Sequence, residues 1–138
     1  MPEYSPVLLP GLTGTFTAAA DTTGGEPVEV VGSGTVAKCT PGPSGLGSAC
    51  YVGIAAHDAR AGLHLTVVMD NTVHEGAADG AINARDQLMA SSRTGRQVTA
   101  VPAAASTPGQ ADINAARAVI GLALTTAADG ATVRWIQK

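Results

Sequence analysis

Short apolar segments alternate with polar or Gly-rich turns along most of the chain, at a spacing of about ten residues, as in small β-proteins. Clear examples are PVEVV (27–31), CYVGIAA (50–56), LHLTVVM (63–69) and ATVRWIQ (131–137). Further strands are predicted over 35–39, 72–76, 86–91, 97–102 and 118–124. One segment differs, because Asp112 can cap a helix of one or two turns within residues 109–118. The pattern predicts a mainly all-β fold, a small barrel or sandwich of short hairpins with at most one short helix.

Two of these hairpins have nearly the same sequence pattern. Residues 51–69 and 119–137 share the layout of apolar run, small-residue turn and apolar run. The identities are Gly53, Ala55, Ala59 and Gly62, which recur as Gly121, Ala123, Ala127 and Gly130. Gly53 and Gly121 lie inside strand patterns, where Gly usually marks a bulge or a close backbone approach. We therefore expect two similar hairpins, the pseudo-symmetric halves of one small barrel.

Residues 1–20 read differently from the rest of the chain. Pro2, Pro6 and Pro10 interrupt the segment, and proline fixes φ and removes an amide donor. We predict an extended N-terminal arm over 1–20, followed by a β-rich domain over 21–138. Such an arm either packs on its own domain or lies across a neighbouring molecule. Its candidate contact residues are Tyr4, Val7, Leu8, Leu9, Leu12 and Phe16.

The composition indicates one domain with a core of small side chains. The chain has 138 residues, of which 3% are aromatic and 17 are Gly. Burial must therefore come from Val, Ala, Leu and Ile, and each Ala removes little apolar surface from water. We expect a modestly stable monomer that gains from self-association. Trp135 fits either an oligomer interface or a plug in the core, and the sequence leaves both open.

The charge distribution argues against a nucleic-acid partner. The net charge is −3, and Lys and Arg form no cluster that could release counterions from phosphates. No apolar run approaches the ~20 residues that span a bilayer, and the N-terminus does not read as a signal peptide. We expect neither nucleic-acid nor membrane binding.

The residues that most often carry chemistry are scattered. GSGTVA (32–37) and GPSGLGSA (42–49) lack the Lys-Ser/Thr of a phosphate loop. His57, His64 and His74 have no Cys or carboxylate at metal-ligand spacing, and no nucleophile motif surrounds the serines. The sequence therefore predicts no catalytic residues, no metal and no cofactor.

Cys39 and Cys50 flank a Pro/Gly-rich loop. If their segments pair as a hairpin centred on that loop, the two cysteines lie opposite each other and within disulfide reach. The alternative, which we favour, is a pair of free buried thiols.

Several segments, in their order along the chain, resemble one known family. GGEPVEVVG, VGIAAHDARAGLHLTVVM, TVHEGAADGAINARDQLMAS and VIGLALTTAADGATVRWIQ are similar to the capsid cement or head decoration proteins of tailed bacteriophages. The chain departs from the family pattern at Glu26, where Asp is usual, and at Ala84-Arg85, which replaces the Gly before Asp86.

The resemblance implies a non-enzymatic structural protein of the virion. Such a protein is made in the host cytoplasm and binds the major capsid protein on the outer surface of the expanded head. It commonly does so as a homotrimer, and it stabilises the head against the pressure of packaged DNA.

Three rival functions remain. The first is another virion β-domain, for head completion or the tail. The second is a small ligand-binding barrel or enzyme, which needs a pocket with convergent polar groups. The third is a secreted surface module, which predicts a Cys39–Cys50 bridge.

Overall fold

Ten strands and one short helix form the described part of the chain in a computed structural model, which covers residues 12–40, 48–103 and 105–138. The elements in chain order are β1 (Thr13–Ala18), β2 (Pro27–Gly32), β3 (Thr35–Lys38), β4 (Tyr51–Ala55), β5 (His64–Val68), β6 (Val73–Asp79), β7 (Gln87–Ala90), β8 (Val98–Ala100), α1 (Gln110–Arg117), β9 (Val119–Ala123) and β10 (Thr132–Gln137). The predicted mainly-β class, with a barrel and one short helix, is confirmed.

The strands close into two barrels with the same internal order. Barrel 1 has the order β1-β3-β2-β4-β5, and barrel 2 repeats it as β6-β8-β7-β9-β10. In each barrel the first and third strands are parallel, and the other pairs are antiparallel. The repeated hairpins are β4–β5 and β9–β10. Each hairpin belongs to its own barrel, so the expectation of two halves sharing one barrel is corrected to one complete barrel per half.

The repeat also extends to single hydrogen bonds outside the strands. Thr22 and Ala59 form an isolated bridge in barrel 1, as Ile82 and Ala127 do in barrel 2. The N–H of Gly25 donates to the carbonyl of Ala55 at 2.8 Å, and the N–H of Arg85 donates to that of Ala123 at 2.9 Å. Positions in one barrel therefore have defined counterparts in the other.

Gly53 and Gly121 mark bulges and close approaches, as predicted. The pairing of β2 with β4 shifts register between Val28 and Glu29, opposite Gly53. The pairing of β7 with β9 shifts at the corresponding place, opposite Gly121. A Cβ on Gly53 would overlap the carbonyl oxygen of Val68, and one on Gly121 would overlap that of Ile136. Only glycine fits either position without moving the adjacent strand.

Each barrel encloses a core of small aliphatic side chains. Barrel 1 buries Ala18, Val28, Val36, Ala55, Leu65 and Val67. The counterparts in barrel 2 are Ala78, Leu88, Val98, Ala123, Val133 and Trp135. Trp135 is fully buried, so its side chain fills the barrel that contains it.

The structure places residues 13–18 of the predicted arm in barrel 1 as β1. This strand pairs with β5 along its length and with β3 at its end. Its sequence, TGTFTA, carries threonines on alternate positions and buries little besides Phe16 and Ala18. A strand with so few apolar residues gives a weak hydrophobic pattern, which is why it reads as part of the arm.

Cys39 and Cys50 do not face each other across a hairpin. β2 lies between β3 and β4, so the segments that contain the two cysteines are not paired. Both thiols are free, Cys39 buried and Cys50 exposed. Burial raises the pKa of the Cys39 thiol well above its ordinary value, which keeps it protonated and unreactive. The expectation of free thiols is met, whereas the expectation that both are buried is corrected for Cys50.

Candidate interaction surfaces

Leu12, the first residue that the structure describes, lies beside the end of β5. The carbonyl of Leu12 accepts a hydrogen bond from the N–H of Met69 at 2.6 Å, and the side chain of Leu12 is 63% exposed. Phe16, another of the predicted contact residues, is half-buried and packs against the core of barrel 1. The remaining four, Tyr4, Val7, Leu8 and Leu9, lie outside the described residues.

Trp135 is bound into a polar network within barrel 2. Its Nε1–H donates to Oε1 of Gln97 at 2.7 Å, and its ring lies 4.8 Å from the ring of His74. His74 Nε2 lies 2.8 Å from Oε1 of Gln137, to which it donates. Of the two alternatives left open by the sequence, the structure places Trp135 in the core.

Gln97 also joins the two barrels. Its Nε2 donates to the carbonyl of Gly25 in barrel 1 at 2.9 Å, and the side chain is almost completely buried. Lys38 makes a second, more exposed contact across the boundary, 3.4 Å from Oγ1 of Thr94. The sequence did not single out Gln97, because a glutamine at the start of a strand carries no recognisable pattern.

Exposed apolar side chains are concentrated on barrel 1. Val30 and Val31, at the end of β2, are 46% and 51% exposed, and Leu63 is 57% exposed. Among the described residues of barrel 2, the exposed large apolar side chains are Ile113 in α1 and Leu124 after β9. The hairpin between β2 and β3 therefore presents two adjacent valines to solvent, in addition to Leu12 at the arm.

The corresponding hairpin of barrel 2 is polar, and ion pairs hold it against neighbouring turns. Arg93 lies 3.4 Å from a carboxylate oxygen of Asp79 and 3.7 Å from one of Asp129. Arg96 lies 3.6 Å from the same Asp129 oxygen. The N–H of Gly80 and the two arginines lower the pKa of Asp129 below its ordinary value. The two hairpins thus share a position in the fold but differ in surface chemistry.

A cleft of about 360 Å³ separates the barrels on one side. It is lined by residues 23–26 of barrel 1 and residues 75–77 and 94–97 of barrel 2. Glu75 on its wall is paired with Arg134, whose guanidinium lies 2.6 Å from the carboxylate. The charges that line this cleft are therefore largely compensated by neighbouring side chains.

The histidines considered in the sequence occupy separate environments. His57 Nδ1 lies 2.9 Å from the carbonyl of Asp58, and its Nε2 accepts from the N–H of Thr66 at 3.2 Å, so this ring supports a turn. His64 is exposed and His74 is buried. Among the residues that the structure describes, no three His, Cys, Asp or Glu side chains are grouped to hold a metal ion. No helix there is long and apolar enough to cross a membrane.

No protein-family model matches the chain, and no curated protein matches it. Among solved structures, the chain is similar to the head fiber gp8.5 N base of bacteriophage phi29, with a TM-score of 0.56 and 14% sequence identity. The match covers 92% of this chain and 93% of that chain. The two proteins therefore share the fold across nearly their full described lengths.

Proposed function

We propose that the chain is a structural protein of a tailed-phage virion that binds the outer surface of the expanded head. The observation that carries the proposal is the fold that it shares with the phi29 head fiber base over 92% of its length. The ordered motifs that resemble head decoration proteins support the same role independently. In this proposal the partner is the major capsid protein, and the function is to stabilise the shell and not to catalyse a reaction.

The stabilisation follows from linkage. A protein that binds the expanded shell but not its precursor favours expansion by RT ln(1 + [L]/Kd) per site, which is about 2.7 kcal/mol at a hundredfold excess over Kd. Many such sites together resist the pressure of packaged DNA. Self-association into a trimer adds effective concentration, because the second and third subunits are already near their sites once the first has bound.

The segment before β1 is the proposed capsid-contacting arm. It carries Tyr4, Val7, Leu8 and Leu9 and joins the barrel at exposed Leu12. A segment that becomes extended on binding can add a strand to a sheet edge of a shell protein, with main-chain hydrogen bonds for affinity and side-chain pockets for specificity.

The test uses the phage whose genome encodes the chain. We expect deletion of residues 2–11 to abolish co-sedimentation with expanded heads while the circular dichroism and thermal unfolding of the protein stay unchanged. The deletion stops before β1, since removing Thr13–Phe16 would open barrel 1. A variant that keeps the length of the arm but replaces Val7, Leu8 and Leu9 by Ser is the matched control for its apolar side chains.

Two outcomes decide the proposal. Full-length protein that binds neither expanded heads nor virions overturns the head-bound role. Unchanged binding of the deletion variant overturns the role of the arm alone. A role as the base of a projecting fiber, favoured by the name of the phi29 protein, predicts additional density above the barrels in electron micrographs of the virion.

A further inference from the structure

The contact between the two barrels joins unlike surfaces of two like units. Barrel 1 contributes the turn before its second strand, through the carbonyl of Gly25, and the end of its third strand, through Lys38. Barrel 2 contributes the hairpin between its second and third strands, through Thr94 and Gln97. A contact of this kind is heterologous, or head-to-tail, and it leaves one surface of each type available at the two ends of the pair.

We name these surfaces the acceptor face and the hairpin face. The acceptor face comprises the turn before the second strand, the residue after the third strand and the outward residue of the fourth strand. In barrel 1 these positions are Gly25, Cys39 and Ile54. The hairpin face comprises the end of the second strand, the turn and the start of the third strand, which in barrel 1 are residues 30–35.

The acceptor face is covered in barrel 1 and accessible in barrel 2. Cys39 and Ile54 are buried because they pack against the core cluster of barrel 2. Cys39 and Ile54 both pair with Pro27, the first residue of β2. In barrel 2, Val101 and Leu122 pair in the same way with Gln87, the first residue of β7, so they are the counterparts. Both counterparts are only half-buried. A cleft of about 380 Å³ lies on this face, between residues 85–87 and 101–103 on one side and Asp112, Ala115 and Ala116 of α1 on the other.

The hairpin face shows the opposite distribution. In barrel 2, Ala90 and Ser91 are buried, as is Gln97, which reaches the acceptor face of barrel 1. In barrel 1 the counterparts of Ala90 and Ser91 are Val30 and Val31, which are 46% and 51% exposed. The exposed hairpin is thus more apolar than the buried one, although it occupies the same place in the fold.

We propose that copies of the chain associate head to tail by repeating this internal contact. The β2–β3 hairpin of one copy docks on the acceptor face of barrel 2 in the next copy, beside Arg85, Val101 and Leu122. The partner that binds the acceptor face is a second copy of the chain, because the two barrels of one copy already make the same contact. Each contact between copies then repeats the contact within a copy. A ring of three copies then contains six similar barrels, which gives the proposed trimer a quasi-sixfold arrangement.

This inference specifies the surface of the self-association proposed above and does not depend on head binding. Its first test is the mass of the purified full-length chain by light scattering, at concentrations up to about 1 mM, the weak end of specific association. We expect Val31→Asp to weaken association by about a hundredfold or more, because docking would bury a new carboxylate next to a cleft that Asp86 and Asp112 already line. Leu63→Asp, an equally exposed substitution on barrel 1 outside the hairpin face, should leave the mass unchanged.

Cross-linking tests the pairing of the two faces directly. The contact of Gln97 with Gly25 corresponds, between copies, to Thr35 with Arg85. In a Cys50→Ser background, Thr35→Cys combined with Arg85→Cys should form disulfides between copies and trap closed trimers on non-reducing gels. Thr35→Cys combined with Ala128→Cys, an exposed turn position, is the matched control and should form no closed species.

The outcomes separate this inference from the proposed function. A chain that stays monomeric, an equal effect of Val31→Asp and Leu63→Asp, or cross-linking no greater than in the control overturns head-to-tail association. None of these results concerns binding to heads, which the co-sedimentation experiment measures separately. Loss of head binding with retained cross-linking would contradict only the virion role.

Discussion

At the scale of single residues, Arg85 occupies a position that the fold makes for glycine. Its φ is +82°, and that of its counterpart Gly25 is +89°. A non-glycine residue in this left-handed region costs about 1–2 kcal/mol, part of which a glycine would lose again through its greater freedom in the unfolded chain. The turn is kept because the N–H of Arg85 must reach the carbonyl of Ala123.

We therefore predict that Arg85→Gly stabilises the protein by about 0.5–1 kcal/mol. The measurement is the free energy of unfolding in urea. Gly25→Ala is the control, and it should destabilise by about 0.5–1 kcal/mol for the same reason in reverse. A destabilised Arg85→Gly variant would mean that the arginine side chain makes interactions worth more than the backbone strain.

His74 makes stability depend on pH. Burial lowers its pKa to about 4, below the usual value of 6.5. The unfolded chain therefore takes up a proton at a higher pH than the folded chain. The stability due to neutral His74 is fully present above pH 6.5 and is lost as the pH falls towards 4.

With a pKa shift of this size, we expect the free energy of unfolding to fall by about 3 kcal/mol between pH 7 and pH 4. It is measured by urea unfolding at several pH values. His74→Gln should reduce the slope over this range, whereas His64→Gln, at an exposed position, should not. An unchanged slope in His74→Gln would show that other groups cause the acid sensitivity.

At the scale of the elements, the sequence pattern predicts most strands because their apolar runs and turns are both distinct. β2, β5 and β10 lie within one residue of their predicted ends. The pattern does not predict β1, because this strand is rich in threonine and only Phe16 and Ala18 pack against the core. The repeat is visible only in β4–β5 and β9–β10, where the overlap with a neighbouring strand forces glycine at Gly53 and Gly121.

The barrels themselves could not be read from the pattern. Closure depends on the pairing of β1 with β5 and of β6 with β10, and both pairs join segments far apart in the chain. The candidate surfaces were equally hidden. Val30 and Val31 read as interior strand residues, and only the position of β4, which stops pairing at Glu29, shows that they are exposed.

At the scale of the whole molecule, Gln97 couples the two barrels. It accepts from Trp135 in one barrel and donates to Gly25 in the other, and it is almost fully buried. Gln97→Leu leaves the indole N–H and the Gly25 carbonyl without this partner, at a cost of about 2–4 kcal/mol.

We predict that this variant also unfolds less cooperatively. In the wild-type protein, Trp135 fluorescence and far-ultraviolet circular dichroism should give the same transition. In Gln97→Leu the fluorescence, which reports on barrel 2, should separate from the dichroism, which reports on both. Coincident curves in the variant would show that the shared core around Ile54 is enough to couple the barrels.

The order of the strands has a consequence for synthesis on the ribosome. All strands of barrel 1 lie within residues 13–68, and those of barrel 2 follow within 73–137. Barrel 1 can therefore close while barrel 2 is still being translated, since domains generally fold from the N-terminus during synthesis. Until barrel 2 folds, the nascent chain exposes Ile54 and Cys39, which the complete protein buries. The partly synthesised chain therefore exposes an apolar surface at the site on barrel 1 where barrel 2 will later pack.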